Sequence, residues 1–354
     1  MRRVFYFAIV LSLAGSLVQA AELSPLVRRG VEAYNQGSKA YEAGRFAESV
    51  PLLLLADTLI GGNPRVDRHR LRYKIGLAYL KNDQPVEAYF LFRWIAEQDS
   101  TFPYIGRQLE SCARRSYNQG RSAFLDGRYP ESLPLLLHAD SLIGIKGQID
   151  RLALRFTIGR AYLKSAQPEK ALGFFQCVAG QDSSYPYLTL QLATCAEQLG
   201  KTALALRHYR AALAGEKNLG AQRPLILVRV AKLLEQKNDL GPALEAYNEA
   251  IELASQPEDY YRRGVLLSRM AGPLDFADDQ SLDLELSIRS GRLNEKNLLQ
   301  ANELRQRALD DFRQAAKAGS SLAEPSARMI ERCEIIIRNN RATISEIHYQ
   351  RNNK

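Results

Sequence analysis

The chain has 354 residues, is 46% hydrophobic, and carries 48 Lys and Arg against 39 Asp and Glu, a formal net charge of +9. That is enough for a large core or an extended array. The four cysteines have no framework spacing, which excludes a disulfide-stapled scaffold. The positive charge is spread along the chain instead of clustered, which argues against a nucleic-acid stripe.

Residues 1–20 are read as a leader. Arg2-Arg3 make a short basic start, Val4–Leu13 is mostly apolar, and Val18-Gln19-Ala20 places small residues where a signal peptidase reads. The segment resembles a secretory signal peptide cut after Ala20, so the expected localisation is exported, periplasmic or secreted. Its removal takes two arginines and no acid from the net charge. A basic exported protein points to acidic partners: peptide carboxylates, anionic lipid or acidic glycan. Export also argues against nucleic acid. No later stretch is long and apolar enough to span a bilayer, so no integral membrane segment is expected.

Residues 34–116 can be laid on residues 117–199 at a fixed offset of 83 with no gap. Tyr34-Asn35-Gln36-Gly37 returns as Tyr117-Asn118-Gln119-Gly120, and Ala78-Tyr79-Leu80-Lys81 as Ala161-Tyr162-Leu163-Lys164. Roughly half the positions are identical, so repetition sets the architecture.

In chain order the pattern predicts helices over 31–43 and 46–59, with Gly44-Arg45 as the turn and Gly61-Gly62-Asn63-Pro64 as the break. Helices over 70–80 and 86–96 follow, and then their copies over 120–125, 129–142, 152–163 and 169–178. Next come 203–213, 224–236 and 242–253, and 260–270 opens a further pair. Residues 273–300 are read as an insertion with a short helix, Glu295–Ala318 as a long helix, and Pro325–Arg338 as a cap within last helices over 301–340. Residues 341–354 are expected to be a loosely held basic tail.

These helix pairs resemble tetratricopeptide repeats. Gly76-Leu77-Ala78-Tyr79 precedes Ala88 and Phe92, and Gly159-Arg160-Ala161-Tyr162 precedes Ala171 and Phe175. Ala205 with Tyr209, Ala243 with Tyr247 and Ala308 with Phe312 continue the A-x3-aromatic pattern. The small residue lets the backbones approach and the facing ring fills the groove. The expected fold class is therefore all-α: an α-solenoid of antiparallel helix hairpins, six to seven pairs with a C-terminal capping helix, the array covering 21–272. Arg72 and Arg155 stand where the family often has Trp, and Ser49 and Ser132 where it has a small Ala. The successive small residues Gly37, Gly76, Gly120, Gly159, Ala193, Ala231 and Gly264 lie 39, 44, 39, 34, 38 and 33 apart, so several loops exceed the family period of about 34.

No catalytic motif is present: no H-E-x-x-H, no G-x-S-x-G, no phosphate loop, since Gly200-Lys201-Thr202 has Cys195 where a glycine is needed. His69, His138, His208 and His348 sit at unrelated repeat positions and give no metal pattern. Asp275, Asp278, Asp279 and Asp283 lack EF-hand spacing and read as a solvated acidic loop. Cys112 and Cys195 share one repeat position and read as buried packing residues. Export would permit a Cys177–Cys195 bridge, but four cysteines allow three pairings.

The chain is thus expected to be no enzyme and to need no cofactor or metal. What remains is a surface. In the family the first helices of the pairs line a concave face. Carried over by phase, this places Tyr34, Tyr41, Tyr73, Lys74, Lys81, Tyr117, Arg121, Arg160, Lys164 and Lys232 near a partner-binding groove. Tyrosine beside a cation suits an extended acidic peptide; the competing reading makes these rings inter-helix packing and the cations a solvated face. The Asp67-Arg68 and Asp150-Arg151 pairs read as helix caps. The expected function is a protein-protein interaction scaffold of the bacterial cell envelope. The alternative is a basic adaptor on an anionic envelope polymer or membrane surface.

Overall fold

The computed structural model describes residues 24–142, 149–215, 219–276, 284–317 and 321–352. The expected leader, the residues Asp278, Asp279 and Asp283, and the end of the basic tail lie outside the described residues. The described residues form α-helices joined by turns and contain no strand. They fall into two compact units, the first reaching Leu188 and the second starting at Thr189.

The first unit holds α1 (Pro25–Glu42), α2 (Phe46–Ile60), α3 (Arg68–Lys81), α4 (Pro85–Gln98), α5 (Ile105–Leu125), α6 (Tyr129–Leu142), α7 (Arg151–Lys164) and α8 (Pro168–Ala179). The chain then enters the second unit through α9 (Leu188–Gln198). It continues with α10 (Thr202–Gly215), α11 (Gln222–Gln236), α12 (Leu240–Leu253), α13 (Pro257–Asp275), the short α14 (Leu284–Arg289), α15 (Glu295–Lys317) and α16 (Ala323–Asn352).

Each hairpin closes where a small residue meets a bulky one. A Cβ placed on Gly76 would lie 2.6 Å from the Phe92 ring, and on Gly159 2.6 Å from Phe175. Gly37 faces Leu53 at 2.9 Å, Gly120 faces Leu136 at 2.8 Å and Gly264 faces Phe312 at 2.9 Å. Any side chain there would hold the backbones apart, and close packing would be lost. The paired residues Ala88 and Phe92, Ala171 and Phe175, Ala205 and Tyr209, Ala243 and Tyr247, and Ala308 and Phe312 are all fully buried. Where the ring is a tyrosine, a glutamate twelve residues earlier accepts its hydroxyl: Glu197 for Tyr209 and Glu235 for Tyr247. Phe92 and Phe175, which have no hydroxyl, have Leu80 and Leu163 at that position.

The duplication repeats the ion pairs and caps at these helix starts. Asp57 takes Arg68 and Arg72 at 3.0 and 3.1 Å, and Asp140 takes Arg151 and Arg155 at 3.3 and 3.1 Å. Arg72 also lies 4.1 Å over the Trp94 ring. Asp67 caps α3 by accepting from Arg70 N, and Asp150 caps α7 by accepting from Leu152 N and Ala153 N. Cys112 and Cys195 are buried, and burial pushes both thiols up to about 12. Cys177 and Cys195 are free thiols, not a bridge.

Four expectations are corrected. First, α5 is one helix from Ile105, where the sequence reading began at Gly120. Its buried residues Ile105, Leu109, Cys112, Ser116, Gly120 and Ala123 keep the three-to-four spacing throughout. Second, α13 runs through Pro273 to Asp275, so the insertion starts later than read. Third, Asp275 is no solvated acid: it is buried, and Arg305 donates to it at 2.5 and 2.9 Å while Asn340 donates at 3.2 Å. Fourth, residues 341–352 are no loose tail. They complete α16, and Ile344 and Ile347 pack against Leu293 and Leu298.

Candidate functional site

In the first unit, α1, α3 and the α4–α5 loop enclose a pocket of about 890 Å³. Helix α1 presents Tyr34, Ser38, Tyr41 and Glu42, a 3.6-residue periodicity that puts them on one face. Helix α3 presents His69, Arg70, Tyr73 and Lys74. The loop supplies Asp99, Phe102, Pro103 and Tyr104.

The loop holds itself up. Asp99 Oδ1 accepts from Thr101 N at 2.9 Å and from Thr101 Oγ1 at 2.6 Å, and Phe102 N donates to Asp99 O at 3.2 Å. The two bonds from Thr101 hold the Asp99 carboxyl below the usual range. Tyr104 then turns the chain into α5 at φ 64°, a left-handed conformation that bulky residues rarely adopt. Its ring is 66% exposed at the pocket rim. The second copy repeats the device: Asp182 accepts from Ser184, and Tyr187 has φ 61°.

The walls are aromatic. Tyr73 lies 5.6 Å from Phe92 and 5.3 Å from Phe102, so its ring both seals the core and forms the pocket wall. Gln108 donates to its hydroxyl at 3.2 Å. His69 stacks on Trp94 at 5.3 Å and on Phe102 at 6.3 Å. Its Nε2 is buried and has no hydrogen-bond partner among the described residues.

Lys74 is the half-buried cation of this pocket. Its ammonium sits 5.2 Å over the Tyr34 ring and donates to Ser38 Oγ at 2.8 Å. Burial lowers its pKa, and Glu42 pulls the other way. It makes no ion pair among the described residues. Burial raises Tyr34 and Tyr41 above the usual phenol range, so both stay protonated donors.

Of the residues expected at a groove, the pocket therefore gathers Tyr34, Tyr41, Tyr73 and Lys74. It does not gather the others. Lys81 and Lys164 are exposed in the last turns of α3 and α7, Tyr117 is half-buried on α5, and Arg121 is exposed one turn further along. Arg160 is exposed and lies 5.1 Å over the Phe124 ring. Lys232 belongs to the second unit, where burial and the nearby Arg262 and Arg229 lower its pKa. Ser38, His69, Phe102 and Tyr104 were missed. Ser38 is one turn from Tyr34 and His69 one turn from Tyr73, so helical phase could have found them. The retained Pro-Tyr of 103–104 and 186–187 marked the loop.

A smaller pocket of about 400 Å³ lies in the second unit, bordered by Ser268, Arg269, Arg305, Met329, Arg332 and Cys333. Among the described residues no group of His, Cys, Asp and Glu is placed to hold a metal ion, and no helix is long and apolar enough to cross a membrane.

No family model matches the chain, and no curated protein does. Solved structures do. A tetratricopeptide repeat protein from Parabacteroides merdae is 12% identical over 87% of this chain and 99% of its own, with a TM-score of 0.33. Pseudomonas aeruginosa pilF is 16% identical over 66% and 95%, with a TM-score of 0.34. The TPR domain of P58(IPK) is 14% identical over 88% and 98%, with a TM-score of 0.31. The glycine-on-ring packing of the hairpins described above makes the chain, in fold, an all-α array of tetratricopeptide-like helix pairs.

Proposed function

We propose that this protein is a non-catalytic scaffold of the bacterial cell envelope that docks a protein or peptide partner, and that the first-unit pocket is where the partner sits. One observation carries the reading: a cleft walled by Tyr34, Tyr41, Tyr73, Phe102 and Tyr104 with the Lys74 ammonium inside it. Tyrosine gives large contact area at low entropy cost, and a desolvated cation rewards a carboxylate. The net charge without the leader, +9 less the two of Arg2 and Arg3, or +7, agrees with an acidic partner.

The test is a photo-crosslinking residue at Tyr104, on the rim, in the native cell, followed by mass spectrometry. The expected result is a partner protein captured from position 104 and absent from a control at Tyr349, an equally exposed ring on α16. Equal capture at both positions removes the pocket from the proposal. Sequencing of the protein from the envelope fraction should begin at Ala21; an intact leader refutes cleavage after Ala20 and makes the segment an anchor. The same net charge motivates the second reading, a basic adaptor on an anionic polymer. That binding would weaken steeply with salt, whereas docking in a desolvated pocket would weaken less.

A further inference from the structure

Because the chain contains the same 83-residue repeat twice, at 34–116 and 117–199, one copy serves as an internal control for the other. Positions the fold needs are retained: Gly76 and Gly159, Phe92 and Phe175, Asp57 and Asp140, Arg72 and Arg155. Of the polar residues of the pocket, Asn35, Asp67 and Asp99 are retained as Asn118, Asp150 and Asp182, but others are not. Lys74 corresponds to Thr157, His69 to Leu152 and Ser38 to Arg121. Both copies form the same hairpins and the same left-handed Tyr loop. The fold therefore requires neither the ammonium nor the imidazole.

Both groups carry an unanswered hydrogen-bonding demand. His69 Nε2 is buried without a partner among the described residues, and Lys74 is half-buried against a neutral hydroxyl. Buried polar atoms are nearly always paired, so neither group is there for the stability of the fold. The rim around them carries both signs, the acids Glu42, Asp67 and Asp99 and the exposed cations Lys39 and Arg70, with Arg70 paired to Asp67 at 3.0 Å, which leaves Lys74 as the half-buried charge.

Resting on the docking function proposed above, we infer that this pocket reads an internal acidic side chain of the partner next to an aromatic one. Lys74 takes the Asp or Glu carboxylate, and Tyr73, Phe102 and Tyr104 cover the adjacent ring, with His69 stacked behind Phe102 to hold that wall in place. The equivalent surface around Thr157 and Leu152 does not share this preference. The pocket volume of about 890 Å³ suits two or three side chains.

The full-length chain is incubated with two randomised arrays of acetylated hexapeptides, one amidated and one with a free C-terminal carboxylate, and selected peptides are then titrated with Glu, Gln or phosphoserine at the acidic position. The expected outcome is enrichment of Glu or Asp beside Tyr or Phe, with Gln about tenfold weaker. Lys74→Thr and His69→Leu copy residues the second copy already carries at those positions. Lys74→Thr should abolish the Glu-over-Gln preference, and His69→Leu should weaken binding roughly threefold. Lys81→Ala, an exposed cation outside the pocket, should change neither. Equal binding of Glu and Gln, a preference that survives Lys74→Thr, tighter binding of phosphoserine, or binding only to a free C-terminal carboxylate each overturns the inference while leaving docking intact. Binding to no sequence on either array removes the docking function as well.

Discussion

At the same offset of 83, Ser116 and His138 stand where Ala33, the residue just before the first copy, and Leu55 stand. In the structure they face each other at 2.9 Å, with Tyr89 edge-on to the imidazole at 4.9 Å. Burial lowers the His138 pKa, with Glu87 pulling the other way, and His138 Nε2 has no partner among the described residues. A base held neutral in the fold and protonated once unfolded contributes stability above the unfolded imidazole range. That contribution is lost as pH falls below the unfolded value and through the folded one. The double variant Ser116→Ala, His138→Leu copies the residues at 33 and 55 and removes this liability. Its thermal midpoint should rise relative to the parent as pH falls from 7 to 5. A constant difference across that range would refute the assignment. The same comparison identifies Lys74 and His69: single residues become informative because a matching position shows what the fold accepts instead.

At the scale of the element, the hairpin is one object. Helix α3 cannot approach α4 unless Gly76 is bare, and the Phe92 ring occupies the space that results. Gly76→Ala should cost about 1–3 kcal/mol, because the new methyl meets ring atoms packed on every side. Adding Phe92→Leu makes room, so the double variant should be more stable than the two single losses summed, readable as a double-mutant cycle in denaturant. Strict additivity would show that the contact is not the cause. The α5 helix illustrates how an element can be misread. The repeating unit was cut at Tyr34 and Tyr117, and the second cut falls inside α5. Splitting the chain at the repeat boundary hid the first turns of a helix whose buried stripe is continuous.

For the molecule as a whole, the most consequential difference concerns its last residues. The stripe Cys333, Ile337, Asn340, Ile344 and Ile347 continues at alternating steps of four and three, so α16 does not stop at Arg338. His348 and Arg351 both reach Glu295 at the start of α15, at 3.0 and 3.2 Å. Deleting residues 341–354 should therefore destabilise the second unit by about 2 kcal/mol or more, the worth of burying one isoleucine. Amide exchange should accelerate in the first turns of α15, where Leu298 packs. A deletion that leaves both unchanged would reinstate the loose tail.

The sequence by itself determined the duplication, the all-helical hairpin class and the pairing of small residues with rings. All three are local or strictly periodic, and a period survives in one dimension. Gly76 opposite Phe92 was legible because Gly159 with Phe175 and Gly264 with Phe312 restate it. The pocket was only half legible. Tyr34, Tyr41, Tyr73 and Lys74 followed from helical phase, but Phe102, Tyr104 and the orphaned His69 nitrogen belong to no period. They meet only because a self-bonded loop with a left-handed tyrosine folds back over α3. Tertiary structure alone decided that enclosure. It depends on side-chain volumes and loop geometry brought together from separate stretches of chain, and no spacing rule encodes those.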